Sequence, residues 1–214
     1  MADGALIVVE GIDGSGTTTQ ARLLVDWLSG AGRRAHLTRE PSDGPVGRLI
    51  REILHGAHAP VDGATMALLF AADRSDHLAR EVLPALGAGT HVVTDRYYHS
   101  SLAYQALEAD REWVEELNRR ARRPDLTLLL DVPAQEAERR RRSAGRPEER
   151  YDRLEAQERI AENYRRLGGR LPGEDYRVLD GSRAVDVVQD DLRQAVAPLV
   201  GLAAPGPRAS SSGS

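Results

Sequence analysis

Glu10-Gly11-Ile12-Asp13-Gly14-Ser15-Gly16-Thr17-Thr18-Thr19-Gln20 is the stretch whose reading decides the fold. Ahead of it, Ala5-Leu6-Ile7-Val8-Val9-Glu10 is a nearly continuous apolar run, the pattern of a strand covered on both faces. Behind it, Leu23, Leu24, Trp27, Leu28 and Ala31 share one helical face, and Gly32 stops the helix. A Gly-rich turn placed between a buried strand and a helix points successive backbone N–H groups inward, and the helix N-terminus adds partial positive charge. Together they cradle phosphate. Gly11 and Gly16 occupy the two glycine positions of G-x-x-x-x-G-K-[ST], and Thr18 occupies the hydroxyl position that ligates Mg²⁺. Asp13, Gly14, Ser15, Thr17 and Thr19 complete the expected ATP-binding loop. The lysine position, however, holds Thr17, which is short and uncharged. A Gly-rich strand-to-helix connection can also be nothing more than a tight turn, so the rest of the chain has to decide between the two.

Outward from the loop, β-rich runs recur at Arg34–Thr38, His91–Asp95, Leu126–Val132 and Tyr176–Asp180. Helical patterns separate them at about 45–56, 63–88, 110–122, 133–142, 153–168 and 184–200. Five strands alternating with helices predict an α/β fold with a parallel sheet and right-handed crossovers. The chain of 214 residues fits one domain, expected over 1–203, and the small polar tail 204–214 is expected to be disordered. One segment breaks the rhythm: Arg139 to Arg153 is packed with arginines around Gly145 and Pro147 and reads as a small basic lid.

Composition narrows the function. The apolar fraction of 41% and charged fraction of 29% are those of an ordinary globular protein, and a net charge of -4 points to neither a nucleic-acid nor a membrane partner. The absence of cysteine excludes disulfides and thiolate metal sites. No apolar run approaches a bilayer span and no signal peptide leads the chain, so a cytoplasmic address is expected.

Several residues then invite chemistry. Phe70, the chain's one phenylalanine, and Arg74 lie four residues apart on one helix face, so a ring that can stack on a pyrimidine neighbours a guanidinium that can donate to a base carbonyl. A core phenylalanine and a solvated arginine would look the same. Asp95 ends a strand at the carboxyl edge of a parallel sheet, where a carboxylate can hold Mg²⁺ through water and Arg96 can contact a transferred phosphate; a strand-end ion pair is the plainer reading. Arg39 or Arg51 could clamp an acceptor phosphate beside Glu40, and the Glu40–Pro41 bond suits a cis turn. The lid arginines could close over nucleotide phosphates or pair with Glu136, Glu138, Glu148 and Glu149 on a solvated face. His55 and His58 lack a third ligand and read as surface histidines.

Taken in order, these stretches resemble one family, the bacterial thymidylate kinases. The loop resembles its E-G-x-D-G-x-G-K-T-T-Q apart from Thr17. Thr38-Arg39-Glu40-Pro41 resembles T-R-E-P, and Phe70-Ala71-Ala72-Asp73-Arg74 resembles F-x-A-x-R. Asp95-Arg96-Tyr97 with Ser100, Ser101, Ala103, Tyr104 and Gln105 resembles D-R-Y/H…S-x-x-A-Y-Q. Arg123-Pro124-Asp125-Leu126-Thr127 with Leu130-Asp131 resembles R-P-D-L-T-x-x-L-D, and Asp152-Arg153-Leu154-Glu155 resembles the lid-closing D-R-x-E. The resemblance implies a P-loop fold of the nucleoside-monophosphate-kinase kind, a five-stranded parallel sheet flanked by helices with a small basic lid. It implies transfer of the γ-phosphoryl group of ATP to dTMP with Mg²⁺, in a homodimer.

The resemblance also implies roles. Asp13 lies near the acceptor's sugar hydroxyl and the metal. Arg39, Glu40, Pro41, Arg51, Phe70, Arg74, Arg96, Ser100, Ser101, Tyr104 and Gln105 bind dTMP, with Tyr104 crowding the sugar 2′ position. Thr18 and Asp95 hold the metal. The family places a catalytic arginine either in the loop or in the lid; Gly14 and Ser15 are not basic, so this chain resembles the lid-arginine type, with Arg142, Arg146, Arg150 and Arg153 as candidates and Arg146 and Arg153 preferred. Two other readings stay open: a P-loop kinase for another acceptor, and a nucleotide-binding relative left inactive by Thr17. A GTPase would need N-K-x-D, which the sequence lacks.

Overall fold

The computed structural model describes residues 3–145 and 150–204. Five strands, β1 (Leu6–Gly11), β2 (Ala35–Arg39), β3 (His91–Asp95), β4 (Leu126–Asp131) and β5 (Tyr176–Asp180), form one parallel sheet in the order β2-β3-β1-β4-β5. The expected parallel α/β architecture is therefore present. β1 lies at the centre and is buried along its whole length, as its unbroken apolar run requires.

The two faces of β1 feed two cores, because successive side chains of a strand point to opposite sides. Leu6 and Val8 pack with Val92, Leu129, Leu102, Ile160 and Tyr164. Ile7 and Val9 pack with Leu24, Leu28, Val93, Leu128, Val188 and Leu192. The second core is covered by α1 (Thr17–Gly30) and α9 (Val185–Val196). On the first side lie α5 (Tyr98–Tyr104), α6 (Arg111–Asn118) and α8 (Leu154–Leu167). The buried side of α1 is Gln20, Ala21, Leu24 and Leu28, whereas Leu23 and Trp27 are half-buried and Ala31 is exposed, so the helix is turned from the expected face.

The helix expected over 63–88 is divided into α3 (Gly63–His77), one π-helical stretch over Leu78–Val82, and α4 (Leu83–Gly87). Pro84 gives the reason. It has no N–H to return to the carbonyl four residues earlier, so the ladder slips by one residue before it. α2 is Pro45–Leu54. α7 is Ala134–Ser143, so Arg139 to Arg142 belong to a helix, and the expected lid is shorter than its arginine-rich stretch suggests. Arg146, Pro147, Glu148 and Glu149 lie outside the described residues, as does the tail from 205. Among the described residues no helix is long and apolar enough to cross a membrane.

The strand ends set up the site. Val9, Arg39 and Asp95 stand level in the sheet register, and the hydrogen bonds from Glu40 N to Asp95 O and from Arg96 N to Val9 O carry the pairing one residue further. The phosphate loop, the Arg39-Glu40-Pro41 turn and the Asp95-Arg96 pair thus leave one edge side by side, where ligands of open α/β sheets bind.

Candidate active site

A cleft of about 600 Å³ is lined by Asp13 to Gln20, Asp95, Arg96, Arg139 to Arg141 and Gly181 to Val185. A second cleft of about 280 Å³ is lined by Arg39, Glu40, Pro41, Arg51, Phe70, Arg74, Tyr97, Ser100, Tyr104, Gln105 and Tyr151. Asp13, Thr18 and Arg96 line both. Two compartments meeting at a carboxylate, a hydroxyl and a guanidinium are the arrangement a two-substrate transfer needs.

The loop is held by its glycines. Gly14 and Gly16 have φ of 90° and 95°, a left-handed conformation that side chains disfavour. A Cβ on Gly14 would lie 2.4 Å from the carbonyl oxygen of Ala137, so α7 can rest on the loop only because position 14 is bare. Gly11 ends β1 and does not line the cleft. Ser15 N–H turns back to Ile12 O, whereas Gln20 N–H makes the first bond within α1, to Gly16 O. The amides of Thr17, Thr18 and Thr19 are therefore the open end of the helix, the donors left for an anion.

Asp13 gathers the neighbouring elements. Its Oδ1 accepts from Arg96 Nη2 at 2.6 Å, and its Oδ2 accepts from Tyr104 Oη at 3.1 Å and Gln157 Nε2 at 3.2 Å. Arg96 has φ of 74°, unusual for a residue with a Cβ and costing on the order of 1 kcal/mol. That backbone aims its guanidinium across both clefts, over the Tyr104 ring at 5.1 Å. Burial would lower the Arg96 pKa, but Tyr104, Asp13, Tyr164 and Asp95 outweigh burial and raise it, so the group stays cationic. Beside it, Thr18 Oγ1 donates to Asp95 Oδ2 at 2.5 Å, while Asp95 Oδ1 is buried with no hydrogen-bond partner.

In the second cleft Phe70 is half-buried at the wall rather than in the core. Arg74 is only 2% exposed and its donors are largely committed, to Glu40, Asn118 and Ser101. Ser101 supports Arg74 and does not line the cleft. Glu40 faces inward to Arg74 and His77, next to a cis bond to Pro41. Arg51 donates to the Pro41 and Ser42 carbonyls, and Arg39 pairs with Asp43. Gln105 Oε1 is buried at this cleft without a hydrogen-bond partner, and the Tyr151 hydroxyl lies beside the Gln105 side chain. His55 reaches its rim, and His58 pairs with Glu52.

The lid arginines separate clearly. Arg142 is exposed and pairs with Glu138; Arg150 binds Glu108 and the Val61 carbonyl; Arg153 is the exposed N-cap of α8 and lines neither cleft. The preferred Arg146 lies outside the described residues. The residue that does reach the loop is Arg141, 7% exposed, with Nη1 donating to the Asp13 carbonyl. It was not singled out, nor were Gln157, Tyr151 and Tyr164. Periodicity held a clue: Arg141 falls on the Ala134–Ala137 face and Gln157 on the Ile160–Ala161–Tyr164 face, polar groups where apolar ones are expected.

Below the site lies a buried charge network. Glu10 accepts from Tyr97 N, Ser100 N, Ser100 Oγ and Tyr164 Oη. Burial would raise its pKa, but His99, Arg96 and Ser100 outweigh it and hold the carboxyl below its ordinary value. His99 is fully buried between Glu10, 3.7 Å away, and Glu174, 3.1 Å away. Burial would lower the His99 pKa, but the two carboxylates outweigh it and raise it above 6.5. In the unfolded chain the imidazole returns to about 6.5, so its contribution is complete below that pH and is lost as pH rises through the higher folded value. The Tm difference between wild type and His99→Gln is expected to shrink from about pH 6 to about pH 9 in thermal melts; a constant difference would show that His99 does not titrate in this way.

The pattern of the thymidylate kinase family matches residues 9–192. A probable thymidylate kinase of Thermococcus kodakarensis is 40% identical over 204 residues, covering 91% of this chain and 98% of the relative. One of Pyrococcus abyssi is 42% identical, covering 88% and 94%, and a thymidylate kinase of Pelotomaculum thermopropionicum is 43% identical, covering 90% and 92%. The first two organisms are archaea, so the likeness extends to the family at large rather than marking a bacterial subgroup. With a match of this extent and the site geometry above, the chain belongs to the thymidylate kinase family.

Proposed function

We infer that the chain transfers the γ-phosphoryl group of ATP to dTMP, giving dTDP. The observation that carries this is the pair of clefts joined at Asp13, Thr18 and Arg96, one walled by a phosphate loop and the other by Phe70, Tyr104 and Gln105. Phosphoryl transfer needs alignment and charge stabilisation more than covalent help. The α1 amides hold the donor phosphates, and Arg96 spans the path between donor and acceptor. The acceptor is already an anion, so no general base is required. In the second cleft, Phe70 offers a stacking face, Gln105 Oε1 awaits a polar partner, and Tyr104 stands at the junction, where it would crowd a 2′ hydroxyl.

The residues present fit Mg²⁺. Thr18 Oγ1 and the unpaired Asp95 Oδ1 are hard oxygen donors at the same cleft, and Mg²⁺ prefers one or two carboxylates supplemented by phosphate and water. The ion would neutralise charge on the donor phosphates. Thr18 and Asp95 position each other through their short hydrogen bond. A homodimer packed through α3 belongs to the same proposal, supported by the outward-facing Leu68 and Leu83 on α3 and α4.

ADP release measured with dTMP, dUMP and dCMP tests the reading. dTMP is expected to be used with the highest kcat/KM. A higher value for dCMP would overturn the acceptor assignment. A protein that binds ATP yet releases no ADP would be the inactive relative that Thr17 brings to mind.

A further inference from the structure

The sequence contains no lysine; all 29 of its permanently cationic side chains are arginine. The ammonium missing from position 17 is therefore not supplied by a lysine elsewhere in the chain, and a permanent cation at the donor phosphates has to be a guanidinium. Among the described residues the donor cleft offers five: Arg96, Arg139, Arg140, Arg141 and Arg183. Their environments are not alike. The Arg139 side chain is 73% exposed and clasps Glu136. Arg140 is drawn to Glu136 and to the Gly181 and Ser182 carbonyls, at the end of the cleft away from the acceptor. Arg183 pairs with Asp180 and Asp191. Arg96 is tied to Asp13 and shared with the acceptor cleft.

Arg141 differs from all of these. It occupies the inward face of α7, after Ala134 and Ala137, where periodicity calls for an apolar side chain and where burying a charge is costly. Its Nη1 donates to the Asp13 carbonyl within the loop, Nη2 donates to the Asp152 carbonyl, and Nε lies 3.2 Å from Asp152 Oδ1. Three anchors fix the guanidinium, and Nη1 and Nη2 each keep a second N–H. A Cβ on Gly14 would also lie 3.0 Å from Arg141 Cγ, so the stem lies against the loop itself. A charge placed against local pattern and held rigidly beside a ligand loop is the mark of a functional position.

We propose that Arg141 supplies, at the phosphate loop, the fixed positive charge that Thr17 does not. The proposal rests on the kinase reading and deepens it. Position 17 and position 141 are then interchangeable hosts for one charge, one on the loop's own helix and one on the helix packed over it. A rescue experiment follows. Arg141→Met is expected to lower kcat by about 100-fold, with KM for dTMP within about threefold. Thr17→Lys added to Arg141→Met is expected to restore at least about tenfold, more than the same substitution gains in the wild type. A structural role alone would lower Tm and give no rescue by a charge placed elsewhere.

Each variant is checked for its fold by circular dichroism. Should Arg141→Met not fold, Arg141→Gln, which keeps two N–H donors without the charge, carries the same comparison. A folded variant within threefold of wild-type kcat, or a loss that Thr17→Lys does not repair, overturns the proposal. A wild type without turnover would instead strike the kinase reading. The rescue is then read in ATP affinity by calorimetry, where Arg141→Met should weaken binding and Thr17→Lys restore it; equal affinities overturn the proposal there too.

Discussion

Replacing Arg96 by methionine is expected to lower kcat for dTMP phosphorylation by about 10³-fold while leaving the protein folded. An arginine that quenches charge on a transferring phosphoryl group is worth about 10³ or more in rate. Arg96 is the residue placed for it, since it lines both clefts and is locked by Asp13 at 2.6 Å. Methionine keeps most of the stem and removes the guanidinium that lies over the Tyr104 ring, so the loss reads the charged group. Arg96→Gly makes the contrast sharper. Glycine accepts the φ of 74° without strain, which returns about 1 kcal/mol to the fold, yet activity should fall as far as in the methionine variant. Steady-state kinetics beside thermal melts check both; a kcat within tenfold of wild type would show that the bridging guanidinium is not what stabilises the transfer.

Glu10→Leu is expected to destabilise the protein by about 3–5 kcal/mol, or by about 10 °C in Tm. Leucine is similar in bulk, so the cost is not a cavity. It comes from Tyr97 N left without an acceptor, from the Ser100 and Tyr164 hydroxyls left with only each other to bond, and from His99 losing one of its two counter-charges. Removing one member of a buried charged network costs more than the network gains, because what remains is uncompensated. These bonds hold the start of α5 beneath Arg96, so the position of the arginine proposed to quench the transferring charge depends on a carboxylate buried below the clefts. Glu10→Gln keeps one acceptor oxygen and should cost clearly less; equal stability of Glu10→Leu and wild type in denaturant titrations would refute this.

How much of this the sequence disclosed depended on the range of the interaction. The sheet was legible because β1 is apolar throughout and because strand and helix patterns alternate. The cradle was legible because glycines at fixed spacing serve a local backbone demand, as Gly14 and Gly16 do. Asp95, with Arg96 beside it, was legible as a strand-end residue at the carboxyl edge of a parallel sheet, and Asp13 as a member of the phosphate loop. Partners brought in from far along the chain were not. Gln157 reaches Asp13 across 144 residues and Arg141 reaches it across 128, and only packing of α7 and α8 on the loop reveals either. The arginine-rich stretch misled because composition does not show direction: three of the four helical arginines face solvent or the cleft's far end, and one turns in. The π-helical stretch before Pro84 was missed because one proline inside a strong helical pattern does not say whether the helix stops or slips.

The central claim is that amide dipoles and guanidinium groups, with no ammonium in the cradle, move a terminal phosphoryl group to a nucleoside monophosphate. Incubating the folded wild-type chain with γ-labelled ATP, Mg²⁺ and dTMP, and separating the nucleotides, tests it most directly. The label is expected to leave ATP and appear in dTDP, with none released as free phosphate when dTMP is saturating. Label that stays in ATP, or that is released as phosphate with dTMP unchanged, would contradict it.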